Sequence, residues 1–182
     1  MVWDAIFALQ SDLTNATSCQ LAPYAYCAGA DLSYMDLTGM DLTGINLRGA
    51  NLQNTTFDYA TLDGADLRSI VAMNATFIHT GMNNTYLQNA EFNKYSWPEC
   101  GGYCGAANLS NAYLNDADLT YANSIGADLT NADLPYAVLT GADLRYADFT
   151  GADLVNADLT AADLRQSVLT NANLNYASLT NA

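Results

Sequence analysis

The chain has 182 residues, enough for one domain with a core of its own, and five Lys and Arg against 19 Asp and Glu give it a formal net charge of −14. That balance disfavours direct binding to a phosphate backbone, while leaving open contact with proteins that themselves bind nucleic acid. No apolar run approaches the roughly 18–20 residues needed to cross a bilayer, so no membrane span is expected.

The N-terminus, Met1-Val2-Trp3-Asp4-Ala5-Ile6-Phe7-Ala8-Leu9, is apolar but contains Asp4 and lacks a basic flank. It reads poorly as a signal peptide, so the protein is expected to be cytoplasmic or to begin after a removed leader. Through about Thr17 the apolar residues Val2, Trp3, Ile6, Phe7 and Leu9 suit one face of a helix. A repeat array follows, and its first coil needs cover, so the helix is read as a cap rather than as a membrane or partner element.

Four cysteines fall in two local pairs, Cys19 with Cys27 and Cys100 with Cys104, at irregular places in the chain. Two local disulfides and reduced structural thiols are both open readings. Their C-x7-C and C-x3-C spacings are not those of a zinc site, and the lone histidine, His79, is remote in sequence. Disulfides would place the mature protein in a lumenal, periplasmic or extracellular setting, and free thiols in the cytoplasm.

From Gly29 the sequence reads in fives. Ala30-Asp31-Leu32, Met35-Asp36-Leu37, Met40-Asp41-Leu42, Ile45-Asn46-Leu47 and Ala50-Asn51-Leu52 open a series that continues through Phe57, Leu62 and Leu67. It runs on more loosely through Phe77, Met82, Leu87 and Phe92. A period of five matches neither a helix nor an extended strand. Two inward residues followed by three outward ones, without gaps, require a corner at every fifth residue. Four corners close a square coil of about twenty residues, whose backbone bonds to the coils above and below at roughly 4.7–4.9 Å.

Residues twenty apart then stack. Phe57, Phe77 and Trp97 are predicted to form an internal aromatic ladder that fills the core rather than lining a tunnel. Ala72 interrupts the Leu/Phe series, but Ile70 supplies bulk beside it and Phe92 stacks next to it, as a close-packed interior demands.

The first series has centres at 92 and 97 and a second resumes at 109, a shift two residues beyond a multiple of five. The segment Trp97-Pro98-Glu99-Cys100-Gly101-Gly102-Tyr103-Cys104-Gly105 is therefore predicted to bulge from one corner. Pro98 and the Gly101-Gly102 pair are turn formers, and a Cys100–Cys104 bridge would pin the bulge. Interrupted repeats often carry sites, which makes Trp97, Pro98, Glu99, Gly101, Gly102 and Tyr103 candidate interaction residues. A tolerated insertion is the competing reading.

The second series runs through Leu109, Leu114, Leu119, Leu129, Leu134, Leu139, Leu144, Phe149, Leu154, Leu159, Leu164, Leu169, Leu174 and Leu179. It stacks Asp133 with Asp153, Asp128 with Asp148 and Asp143 with Asp163 on three faces, and alternates Asp118, Val138 and Asp158 on the fourth. Carboxylates spread around a rod, with no pocket to desolvate them, do not make an acid–base pair. No Ca²⁺ loop, P-loop, dinucleotide fingerprint or G-x-S-x-G appears, and His79 falls at an outward corner. No enzyme activity, metal or cofactor is expected. Sequons at Asn15, Asn54, Asn74, Asn83 and Asn108 matter only in a secreted eukaryotic protein. The chain stops within regular repeats, and its last coil, with Leu174 and Leu179, is expected to pair with another copy. A native cap beyond the sequence is the alternative.

The A-[D/N]-L-x-x pattern, as in Ala142-Asp143-Leu144-Arg145-Tyr146 and Ala152-Asp153-Leu154-Val155-Asn156, resembles the pentapeptide-repeat family over about five-sixths of the chain. The resemblance implies an all-β solenoid, a right-handed quadrilateral β-helix. Counting the repeats gives roughly seven to eight coils and a rod about 35–40 Å long. Residues 1–28 would be the N-terminal cap, with its short helix, and 29–182 a single β-helix with an irregular insertion near 97–105. The stretch from Ser18-Cys19 to Cys27-Ala28-Gly29-Ala30-Asp31-Leu32 is similar, more distantly, to the capped N-termini of cyanobacterial and chloroplast-lumen members.

Three functions are compatible with such a rod. The preferred one is a non-enzymatic scaffold or protein-interaction module whose partner the sequence does not name. The second resembles the quinolone-resistance members, whose acidic rods mimic DNA and occupy the saddle of gyrase; paired disulfides would count against that role. The third is a fibre assembled through the uncapped C-terminal coil.

Overall fold

In a computed structural model of the protein, residues 19–93 and 106–182 are described. The local unit explains the period of five. In Ala30–Tyr34 the side chains of Ala30 and Leu32 are buried, while Asp31, between them, points outward. The chain then turns: the N–H of Met35 donates to the carbonyl of Leu32 at 3.2 Å, and Tyr34 takes a φ of 63°. Every described repeat has such a positive-φ residue two places after its central one, as a type II turn requires.

Each outward residue between two inward ones makes a single parallel bridge to its counterpart in the next coil. Face one runs Tyr26–Asn46–Asp66–Tyr86–Asp118–Val138–Asp158–Ser178, and face two Asp31–Asn51–Val71–Glu91–Asn123–Asp143–Asp163. Face three runs Asp36–Thr56–Thr76–Asn108–Asp128–Asp148–Val168, and face four Asp41–Thr61–Gly81–Tyr113–Asp133–Asp153–Asn173. The three Asp pairs and the Asp118–Val138–Asp158 alternation therefore stack as the spacing requires. Hydrogen bonds run both ways across each step: Leu47 donates to Asp66 at 2.8 Å, and Asp66 donates to Ile45 at 2.9 Å. The ladder begins at Tyr24, whose N–H donates to Thr43, ahead of the Gly29 at which the sequence pattern becomes regular. No helix occurs among the described residues, and the capping helix expected before Thr17 lies outside them.

The interior is a continuous apolar column. Phe57 and Phe77 stack with centroids 5.1 Å apart and planes 4° from parallel, and Phe92 meets Phe77 edge-on at 6.1 Å. Face two explains how Phe92 fits. The central inward residues beneath that face run Leu52, Ala72, Phe92, Ser124, Leu144, so the ring sits between two small side chains. Ala72 and the fully buried Ile70 were legible in the sequence, whereas Ser124 takes a position where Leu is the rule. Threonines replacing the inward Ala are satisfied inside: Thr55 donates to Leu32 at 2.9 Å, Thr80 to Phe57 at 2.7 Å and Thr85 to Met82 at 2.8 Å.

The step between coils is twenty residues except at one level. There Thr76 bridges Asn108, Gly81 bridges Tyr113, Tyr86 bridges Asp118 and Glu91 bridges Asn123, a step of 32. The extra twelve residues enter inside one corner, because the N–H of Ala107 donates to the carbonyl of Phe92 at 3.0 Å, the same turn bond that closes the other described corners except the one at Thr85, where the hydroxyl donates instead. Asn93 and Asn123 seal its foot: Asn93 Nδ2 donates to Ile125 at 2.7 Å and Asn123 Nδ2 to Asn93 at 3.0 Å. This corrects the aromatic ladder. The rung next to Phe77 is Leu109, so the position assigned to Trp97 is already filled, and Trp97 itself lies outside the described residues.

Candidate interaction surface

The abundance of Asp and Asn follows from the backbone. The outward residue between the two inward ones carries a side-chain oxygen that accepts the N–H two residues on, as when Asp36 takes Thr38 at 3.1 Å and Asp148 takes Thr150 at 2.8 Å. These Asx turns satisfy an amide that the ladder leaves over. Where the residue cannot serve, a neighbour does. At Thr76 and Gly81 the acceptors are Asp58 and Asp63 of the preceding coil, which take the N–H groups of Ile78 at 3.0 Å and Asn83 at 2.9 Å. Most carboxylates thus have structural work, and their environments record it. The Thr38 hydroxyl and N–H hold Asp36 below the usual carboxylate range, and Arg68 does the same for Asp66. Asp133 goes the other way: burial first, then the Asp153 carboxylate on the next rung, push its pKa up.

Charge is unevenly distributed. Among the described residues Arg48 and Arg68 stand on face one and Arg145 and Arg165 on face two. Arg68, Arg145 and Arg165 each pair with the Asp two residues before. Faces three and four carry Asp36, Asp58, Asp128, Asp148, Asp41, Asp63, Asp133 and Asp153 with no described Lys or Arg.

The tyrosines have no comparable structural explanation. Of the ten described, nine are exposed, from 46% for Tyr113 to 88% for Tyr176. Seven, Tyr24, Tyr34, Tyr59, Tyr121, Tyr136, Tyr146 and Tyr176, occupy positive-φ corners. That region costs an ordinary L-residue about 1–2 kcal/mol, and Gly or Asn fills it with less strain. Some rings recover packing. Tyr24 and Tyr121 lie over Gly44 and Gly141, the corners one coil on, and Tyr59 stacks on His79 at 5.2 Å. The outcome is an acidic rod with exposed phenol rings on its corners and faces.

A family model for pentapeptide repeats matches residues 25–58, 103–134, 125–160 and 147–182, more than half of the sequence. The chain belongs to the pentapeptide-repeat family. QnrB1, a plasmid-mediated fluoroquinolone resistance protein, is similar in structure with a TM-score of 0.57; it is 20% identical over 90% of this chain and 81% of its own, a likeness of fold. HetL, a pentapeptide repeat protein involved in heterocyst differentiation regulation in the cyanobacterium Nostoc, is 26% identical over 86% of this chain and 78% of its own, with a TM-score of 0.31. A pentapeptide repeat protein of the Arabidopsis thaliana thylakoid lumen is 26% identical over 73% of this chain and 70% of its own, with a TM-score of 0.22. No curated relative matches the sequence. Membership makes this rod a right-handed pentapeptide-repeat β-helix.

Of the residues singled out in the sequence, Cys19 and Cys27 form a disulfide with Cα atoms 5.1 Å apart. Trp97, Pro98, Glu99, Cys100, Gly101, Gly102, Tyr103 and Cys104 lie outside the described residues. Leu174 and Leu179 point inward in the last coil, with Leu179 44% exposed where its counterpart Leu159 is fully buried. His79 is at a corner, as expected of an outward position. The corner tyrosines went unnoticed as candidates, although a Tyr two places after a central Leu, as in Leu144-Arg145-Tyr146, is visible in the sequence. No helix among the described residues is long and apolar enough to cross a membrane.

Proposed function

We propose that this pentapeptide-repeat rod is a non-enzymatic protein-interaction module whose partner is held by the exposed corner tyrosines. One observation carries the reading: seven tyrosines sit at left-handed corners that the fold alone would fill better with Asn or Gly. Tyrosine offers a large, rigid, amphipathic surface and is enriched at protein interfaces. The Cys19–Cys27 disulfide supports an oxidising compartment, lumenal, periplasmic or extracellular.

The test separates fold from binding. Tyr34→Asn and Tyr136→Asn are expected to keep urea stability or raise it by up to about 1 kcal/mol. In affinity capture from the native host, the same variants are expected to lose the partner that wild type retains through washing. A drop in stability would mean that these rings serve the fold, and unchanged capture would remove them from the interface; either result overturns the reading.

A second reading, a DNA mimic directed at gyrase or another topoisomerase, is favoured by the net charge of −14 and by two faces without a described Lys or Arg. It predicts inhibition or protection in a supercoiling assay, and no effect at large protein excess eliminates it.

A further inference from the structure

The Cys19–Cys27 bridge is set at the end of the core. Cys27 is the first member of the buried column that continues through Leu47 and Leu67, and it is only 2% exposed. Cys19 lies before the ladder and is partly exposed, and Leu21, close to it in sequence, also packs on the core. The two ends of the rod differ accordingly. In the first coil the inward Cys27, Leu32 and Leu37 are 2–3% exposed, whereas in the last coil the inward Leu164, Leu169 and Leu174 are only partly buried and Leu179 is 44% exposed. The bond thus ties the segment that enters the rod to a core position of the coil it enters. It closes a separation of eight residues, so its influence is local.

We infer that this disulfide is a redox-operated latch on the N-terminal coil, opened by a protein dithiol of the thioredoxin class through attack at Cys19. The chemistry balances. A thiolate of the dithiol attacks Cys19 Sγ, on the less buried of the two cysteines, and the Cys19–Cys27 bond breaks, releasing Cys27 as a thiolate that takes up a proton. The second thiol of the dithiol then attacks the mixed disulfide, frees Cys19 as a thiol and leaves the partner oxidised. Two electrons and two protons pass to the chain. Cys27 remains a small apolar residue in the core. Cys19–Ala22 is no longer tethered, and the first coil opens locally while the coils beyond it stay closed.

A thioredoxin-class protein whose second cysteine is replaced by serine, mixed with the oxidised full chain, should be trapped on Cys19, as peptide mapping would read. Reduction with a small dithiol should accelerate amide exchange at Cys27, Gly29 and Ala30 by about tenfold or more, and leave Leu114–Leu159 within about twofold. Cys19→Ser should show the fast exchange without reductant and no further response to it. Trapping on Cys27 would overturn the latch, as would first-coil protection that survives reduction. Acceleration spread evenly along the rod, or a reductant response that persists in Cys19→Ser, would place the effect elsewhere and overturn it as well.

Discussion

Asp133 and Asp153 occupy adjacent rungs of face four, and their carboxylates have no Arg between them of the kind that Arg145 provides for Asp143 and Asp163. Burial and the neighbouring charge raise the folded pKa of Asp133 above its ordinary 3.8, while a hydrogen bond from Asn115 partly offsets them. A carboxyl whose pKa is higher folded than unfolded binds more protons in the folded state. Its contribution to stability therefore falls as pH rises through the window just above 3.8. Asp133→Asn should raise stability to urea at pH 7, by less than about 1 kcal/mol for a pair that is only partly buried, and should lose that advantage at pH 3. Asp36 and Asp41 carry the opposite sign. Thr38 and Thr43 depress their pKa values, so the stability they contribute is lost as pH falls below 3.8. A midpoint for Asp133→Asn that is unchanged at pH 7 would mean that the two carboxylates do not interact.

Corners are the elements on which the fold turns, and they separate two costs that glycine avoids. Gly49 has a φ of 69° and nothing within 4 Å of where a Cβ would stand. At Gly141, with φ 65°, a Cβ would stand 2.5 Å from the Tyr121 ring. Gly49→Ala should cost about 1–2 kcal/mol for the backbone alone. Gly141→Ala should cost up to about 1 kcal/mol more, since the exposed Tyr121 ring must turn aside; equal losses in urea denaturation would show that Tyr121 does not pack there. Much of this architecture was legible, because inward Leu, Phe and Ala recur wherever a square coil needs them. The left-handed corners are filled by Gly or Asn at most of the described repeats, but Tyr, Ser, His, Asp, Ala and Gln take the same position elsewhere, so the corner residue has no single sequence signature. Trp97 misled for a related reason: it lies twenty residues after Phe77, but the rung is fixed by the pairing of Thr76 with Asn108, which spacing alone does not reveal. Ser124 escaped because its small size makes sense only once Phe92 is seen on the neighbouring rung.

At the scale of the whole rod, four parallel ladders run past the insertion without a break, and charge is sorted so that all the described arginines stand on two faces. Inward residues and Asx turns account for the fold; the proposed function and the proposed latch rest on the exposed tyrosines and on the disulfide at the entering end. The central structural claim is that residues 94–105 are extra chain inside one corner of an otherwise unbroken solenoid. Deleting those twelve residues joins Asn93 to Ala106 and restores the twenty-residue step. Equilibrium urea denaturation of this deletion tests the claim most directly. A single cooperative transition within about 1 kcal/mol of the parent is the expected result, and loss of the cooperative transition would contradict the register on which the four ladders rest.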